Sequence, residues 1–319
     1  MNHSQVSVGD VELHVVELGT GEPVLFCHGF PDVWIGWRRQ MEAVAAAGYR
    51  AIAIDMRGYG GSTGPDDPTA YTPFHTVADL VGLLDALSLP TVTLVGHDFG
   101  AATAWYAAMM RPDRFTAVFA ISVPYLPLGG PSLFEAMEAA GKADSFYMFK
   151  QREPEADQRW SDASTTYPGV LYWSSATPAP EDRWDPFDTE REMYRSAPVS
   201  VPPWADPADI AYAVAEFERT GFHRPLNYYR SLQSFFDLGK GYKGVTIRQP
   251  AFFLTGEADG VNKIRPVDEA ELQQAVPGLR GVRVLPDVGH WAHREAPDVT
   301  NELLVTFLRG LDSSQSAKS

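Results

Sequence analysis

Apolar residues recur with two alternating rhythms along the first 125 positions. "QVSVGDVELHVVEL" alternates residue by residue and predicts two strands joined by the two-residue turn Gly9-Asp10. "PVLFC", Pro23 to Cys27, is a continuous apolar run of strand length. "WRRQMEAVAAAG" has helical composition and stops at Gly48. "YRAIAID", Tyr49 to Asp55, predicts the next strand. In "TPFHTVADLVGLLDALSL", Val77, Leu80, Leu84 and Leu87 fall on one helical face. "TVTLV", Thr91 to Val95, predicts a strand, Ala101 to Met110 a helix and "FTAVFAIS" a strand. Strands alternating with helices predict an α/β fold with a mostly parallel central sheet, flanked by helices on both faces.

The rhythm breaks after Tyr125. Residues 126–246 are rich in proline and aromatic residues and hold no clear buried strand. Asp206-Pro207 reads as an N-cap followed by proline in the first turn, with Ile210, Val214 and Phe217 on one face and Gly221 as the stop. A second helix is expected from Pro225 through Phe236, and a long loop between Pro178 and Pro207. The strand pattern resumes at "PAFFLT", Pro250 to Thr255. A helix over Glu269 to Ala275, the strand "GVRVL" and a last helix over Pro297 to Leu311 follow. The tail "DSSQSAKS" has nothing to bury and is expected to be unstructured. The expected organisation is therefore a core of residues 1–125 and 247–319, interrupted by a mainly helical cap at 126–246. An insert placed after a strand's C-terminal end sits over the ligand-binding edge of such a sheet.

Composition narrows the function. A formal charge of −15 argues against nucleic acid as a partner. No run of eighteen apolar residues predicts a membrane span, and the N-terminus has neither the basic nor the apolar region of a signal peptide. A cytoplasmic protein, monomer or homodimer, is expected. The single cysteine, Cys27, lies within an apolar run and reads as a small buried side chain. No metal-ligand spacing and no phosphate-binding glycine loop is present, so neither metal nor cofactor is expected.

The chemistry concentrates in four segments. "VGHDFGA" runs from strand to helix, with Gly96 and Gly100 spaced two residues either side of Asp98. Such a turn projects one side chain beyond the sheet edge. Serine there would attack carbonyls. A carboxylate can instead attack a saturated carbon bearing a leaving group, giving an ester that water must cleave. A plain N-cap is the simpler use of Asp98. "DVGHWAHREAP" offers His290 as the base, with His293 as its neighbour. "FLTGEADGV" offers Asp259 to orient that base, with Glu257 as rival. "CHGFPDVW" offers the backbone N–H of Phe30, which with that of Phe99 would form an anion hole. The order nucleophile, acid, histidine is that of α/β hydrolases.

"HGFPDVW", "DMRGYGGS", "GHDFG", "GEAD" and "GHW", in this order, resemble the α/β-hydrolase-fold epoxide hydrolases, bacterial and soluble, over nearly the whole core. The resemblance implies addition of water to an epoxide to give a vicinal diol, through an Asp98 alkyl ester. It implies a small lipophilic epoxide and water as the only partners, with Phe30, Pro31, Trp34 and Phe99 near the substrate. It also implies two cap tyrosines that donate to the epoxide oxygen. "SFYMFKQREP" matches the first at Tyr147 and "PLNYYR" the second at Tyr229. Helical periodicity leaves Tyr228 as a rival to Tyr229, and Tyr125 and Tyr172 as rivals to Tyr147. The cap tryptophans Trp160, Trp173, Trp184 and Trp204 are candidates for lining a lipophilic pocket, although such residues more often form the cap's own core.

Phe99 departs from the tryptophan often found after the nucleophile, which bears on pocket shape. It also argues against a haloalkane or haloacid dehalogenase on the same scaffold, because a departing halide needs donors. A non-catalytic ligand-binding homologue is the other alternative, and the presence of Asp98, Asp259 and His290 together argues against it.

Overall fold

The computed structural model describes residues 1–316. Eight strands among them form one sheet: β1 (Asn2–Val8), β2 (Val11–Leu18), β3 (Pro23–Cys27), β4 (Arg50–Ile54), β5 (Val92–His97), β6 (Phe115–Ile121), β7 (Ala251–Gly256) and β8 (Leu279–Leu285). Their spatial order is β1-β2-β4-β3-β5-β6-β7-β8. β1 pairs antiparallel with β2 and β2 with β4, whereas every pairing from β4 to β8 is parallel. The expected hairpin forms with Val8 opposite Val11, and Gly9 supplies the positive φ of the turn. Residues 24–27 of β3 and 117–121 of β6 are buried without alternation, as in strands covered on both faces.

Helices Arg38–Ala46 and Pro297–Ser316 pack against each other, as do Pro73–Ala86 and Phe99–Met110. Cys27 is fully buried and its thiol is pushed up to about 12, which leaves it protonated and inert. The last helix continues to Ser316, beyond the expected stop at Leu311, so most of the tail joins it; residues 317–319 lie outside the described residues. No helix among the described residues is long and apolar enough to cross a membrane.

The chain leaves the sheet after Ile121 and returns at Ala251. Between them, among the described residues, lie helices and loops only. Pro207–Thr220 is capped by Asp206, whose side chain accepts from the Ala208 N–H, and ends at Gly221 with φ +69. The next helix, His223–Leu238, starts two residues before the expected proline. Pro225 then sits in the first turn, where an N–H has no intrahelical partner to lose. Four further helices, Leu133–Ala139, Tyr147–Arg152, Ala156–Trp160 and Ala163–Trp173, go beyond the individual elements expected from the pattern.

Candidate active site

Asp98 occupies the turn between β5 and the helix Phe99–Met110, at φ +54 and ψ −119, a conformation that non-glycine residues rarely adopt. The turn closes because its neighbours lack side chains. A Cβ on Gly100 would lie 2.0 Å from the Cys27 carbonyl oxygen, and one on Gly96 would lie 2.3 Å from that of Gly100. Asp98 makes no side-chain cap to its own helix. Instead Oδ1 accepts from the Phe30 N–H at 2.8 Å, and the Phe99 N–H also bonds the carboxylate. The two N–H groups expected to form an anion hole thus converge on one carboxylate. Burial pushes the Asp98 carboxyl above the usual carboxylate range, while the His290 ring and these two N–H groups pull it back.

His290 lies on the loop after β8, with Nε2 4.0 Å from Asp98 Oδ2 and Nδ1 3.2 Å from Asp259 Oδ1. Burial lowers its basicity, but the charge and hydrogen bond of Asp259, with the charge of Asp98, outweigh it and place the ring above the ordinary histidine value. Asp259 Oδ1 also accepts from the Val261 N–H at 3.0 Å. The rivals stand elsewhere. Glu257 is exposed to solvent. His293 is buried against Trp37 and His97, and burial drives it well below the ordinary value, so it stays neutral.

Three residues absent from the motif analysis hold this arrangement. Ser122, at the end of β6, donates its hydroxyl to Asp259 Oδ2 at 2.6 Å and lies 2.9 Å from His290 Nδ1. Glu295 accepts from the N–H groups of Gly289, Trp291 and Ala176, tying the His290 loop to the segment inserted between β6 and β7. The Ser174 carbonyl accepts from the His290 N–H at 2.9 Å. Serine and glutamate at these positions carry no spacing signal, since each acts across the fold.

Tyr147 and Tyr229 pack edge to face with ring centroids 6.1 Å apart, and both feel the charge of Asp98. Burial raises both phenols well above their ordinary value; next come Asp98's charge for Tyr147, and the neighbouring Tyr147 followed by Asp98 for Tyr229. Both are therefore hydrogen-bond donors throughout the neutral range. Tyr228 donates to the Arg57 carbonyl at 3.1 Å. Tyr125 contacts the Met109 sulfur, and Tyr172 packs on Trp173.

A cavity of about 110 Å³ opens from Asp98 and Phe99, walled by Trp105, Leu126, Met148, Leu232 and Phe236 among others. Of the four residues expected at the substrate, only Phe99 lines it. The Phe30 ring stands behind Tyr229, edge-on at 5.2 Å, and Pro31 is buried outside the cavity. Trp34 lies apart: its indole donates to the Tyr212 hydroxyl at 2.9 Å and packs against His3 and His14. The third residue after "HGFP", Trp34, opens a turn of 3₁₀ helix, Trp34–Trp37. The expected tryptophans do not line the cavity either. Trp160 packs on Phe30, Trp184 on Tyr147, Trp173 under Arg195 and Trp204 near Arg294.

The α/β hydrolase fold family matches residues 22–297. An epoxide hydrolase of Caballeronia sordidicola is 51% identical, covering 97% of this chain and 94% of that one. Epoxide hydrolase B of Mycobacterium tuberculosis is 34% identical over 91% and 92% of the two chains. The solved structure of an epoxide hydrolase from an endophytic Streptomyces superposes with a TM-score of 0.89 at 34% identity, covering 98% and 96%. The chain belongs to the α/β-hydrolase-fold family and, within it, to the epoxide hydrolases.

Proposed function

We propose that the protein hydrolyses a small lipophilic epoxide to a vicinal diol in two steps through an ester on Asp98. The observation that carries this reading is the division of labour on one carboxylate. Oδ1 accepts from the Phe30 N–H, the Phe99 N–H bonds the same carboxylate, and Oδ2 faces His290 at 4.0 Å beside the cavity. Oδ2 attacks an epoxide carbon, the C–O bond breaks, and Tyr147 or Tyr229 gives its proton to the departing oxygen. His290 Nε2 then takes a proton from water, which adds to the ester carbon of Asp98. The charge that develops falls on Oδ1, which already accepts from the Phe30 N–H, with the Phe99 N–H on the same carboxylate. Asp259 stabilises the imidazolium, which returns the proton as the diol leaves, and the second proton of the water, left on the regenerated Asp98 carboxyl, restores the tyrosine phenol. Residues 126–246 act as the cap that supplies both phenols, over a core of 1–125 and 247–319. Only water is consumed. The same proposal places the enzyme in the cytoplasm, in keeping with its acidic sequence.

A single turnover in heavy-oxygen water tests it. The diol should carry an unlabelled oxygen from Asp98, and the label should appear in the Asp98 peptide. Label passing straight into the diol would mean direct attack by water.

A further inference from the structure

We infer that Ser122 is a positioning residue of the hydrolytic step, setting the tautomer and orientation of His290 together with Asp259; this rests on the covalent reading above. A hydroxyl has one hydrogen to give. Ser122 Oγ lies 2.6 Å from Asp259 Oδ2, and an ionised carboxylate only accepts, so that hydrogen is committed to Asp259. The lone pairs of Oγ are left to face His290 Nδ1 at 2.9 Å, closer than the 3.2 Å to Asp259 Oδ1. Two acceptors therefore converge on Nδ1. The ring proton is fixed there, and the lone pair of Nε2 is directed towards Asp98. Asp259 reaches His290 by two routes, one direct and one through the serine hydroxyl.

The backbone supports a selected role. Ser122 is fully buried and sits at φ +72, where glycine is the unstrained choice. The strand β6 ends one residue earlier, and the Ser122 N–H is bonded to the Leu254 carbonyl of β7, so the side chain is held beside the loop that carries Asp259. A serine kept in a left-handed conformation in a closed site brings a hydroxyl that glycine cannot.

Two variants separate this role from a merely structural one. Ser122→Ala removes the hydroxyl and keeps the backbone strain; Ser122→Gly removes both. With styrene oxide as the probe, alkylation of Asp98 should stay within about 3-fold of wild type in each. Hydrolysis of the ester should slow by ~10–100-fold, the loss of one bond to a charged network. The ester should accumulate by intact-mass spectrometry, and kcat and KM should fall together. Loss of kcat at unchanged KM, tracking the folded fraction, would make Ser122 structural and overturn the proposal. So would wild-type ester hydrolysis in Ser122→Gly. If wild-type enzyme itself forms no ester in single turnover, the covalent reading fails and this one with it, an outcome distinct from the other two.

Discussion

His290 Nε2 stands 4.0 Å from Asp98 Oδ2, beyond hydrogen-bond reach, while its other nitrogen is held by Asp259 at 3.2 Å. The ring is thus anchored from behind and uncommitted in front, which in the proposed mechanism leaves it free to engage a water once the carboxylate has become an ester. His290→Gln should leave alkylation intact and stop hydrolysis, so one substrate mass should remain on the protein in an intact-mass spectrum. Turnover at the wild-type rate would remove His290 from the mechanism.

The pH dependence has a definite sign. In the proposed mechanism His290 works as a base only when neutral, and in the free enzyme Asp259 and Asp98 hold it above the ordinary histidine value. Ester hydrolysis should therefore rise with pH, with its half-maximum below that of the ring in the free enzyme, because esterification removes the Asp98 charge that helps raise it. Asp259→Asn removes the main group that raises the ring, so the half-maximum should move down while the plateau falls. Stopped-flow measurement of ester decay across pH reads both. An unchanged half-maximum with an unchanged plateau would show that Asp259 does not act on His290.

Much of this site was legible because its key groups lie at strand ends, where period-two and period-3.6 patterns meet short glycine motifs. Asp98 and Asp259 follow buried strands and His290 follows the partly exposed edge strand β8, all three delimited by apolar positions. The misses have physical causes. Helices of five to eleven residues, such as Ala156–Trp160 and Ala163–Trp173, show too few turns to display a period, and Pro168 inside the latter reads as a break. The cavity wall was not legible, because large aromatics in the insert serve as its own core while Trp105, on the helix after Asp98, lines the cavity. Ser122 and Glu295 act through contacts 137 and 119 residues away, on Asp259 and Ala176, which no local pattern encodes.

The tyrosines separate the two steps from the other side. The epoxide oxygen needs a proton only while it is leaving, so Tyr147→Phe and Tyr229→Phe should each slow alkylation by ~10–1,000-fold, roughly 1.4–4 kcal/mol of barrier. The double variant should be nearly inactive, and hydrolysis of a preformed ester should suffer far less. Tyr228→Phe loses a bond to the Arg57 carbonyl and should cost about 1 kcal/mol of stability with alkylation nearly unchanged. Rapid-quench alkylation rates decide this. A damaging Tyr228→Phe beside a silent Tyr229→Phe would reverse the assignment.

The cavity makes the last prediction, because it differs from what the motifs imply about where substrate lies. Its mouth is at Asp98 and Phe99, and Leu232 is part of its wall, whereas Trp34 lies outside it on Tyr212. An indole in place of Leu232 would take up much of a space of about 110 Å³. Leu232→Trp should lower kcat/KM for styrene oxide by ~10-fold or more, about 1.4 kcal/mol or more, while propylene oxide stays within about 3-fold. Trp34→Phe should leave both values unchanged and lower only the denaturant midpoint, through one lost hydrogen bond of about 1 kcal/mol. Steady-state kinetics on the two epoxides checks both variants. If Trp34→Phe alters the ratio between substrates and Leu232→Trp does not, the substituent binds on the Trp34 side of Asp98 and the cavity has another use.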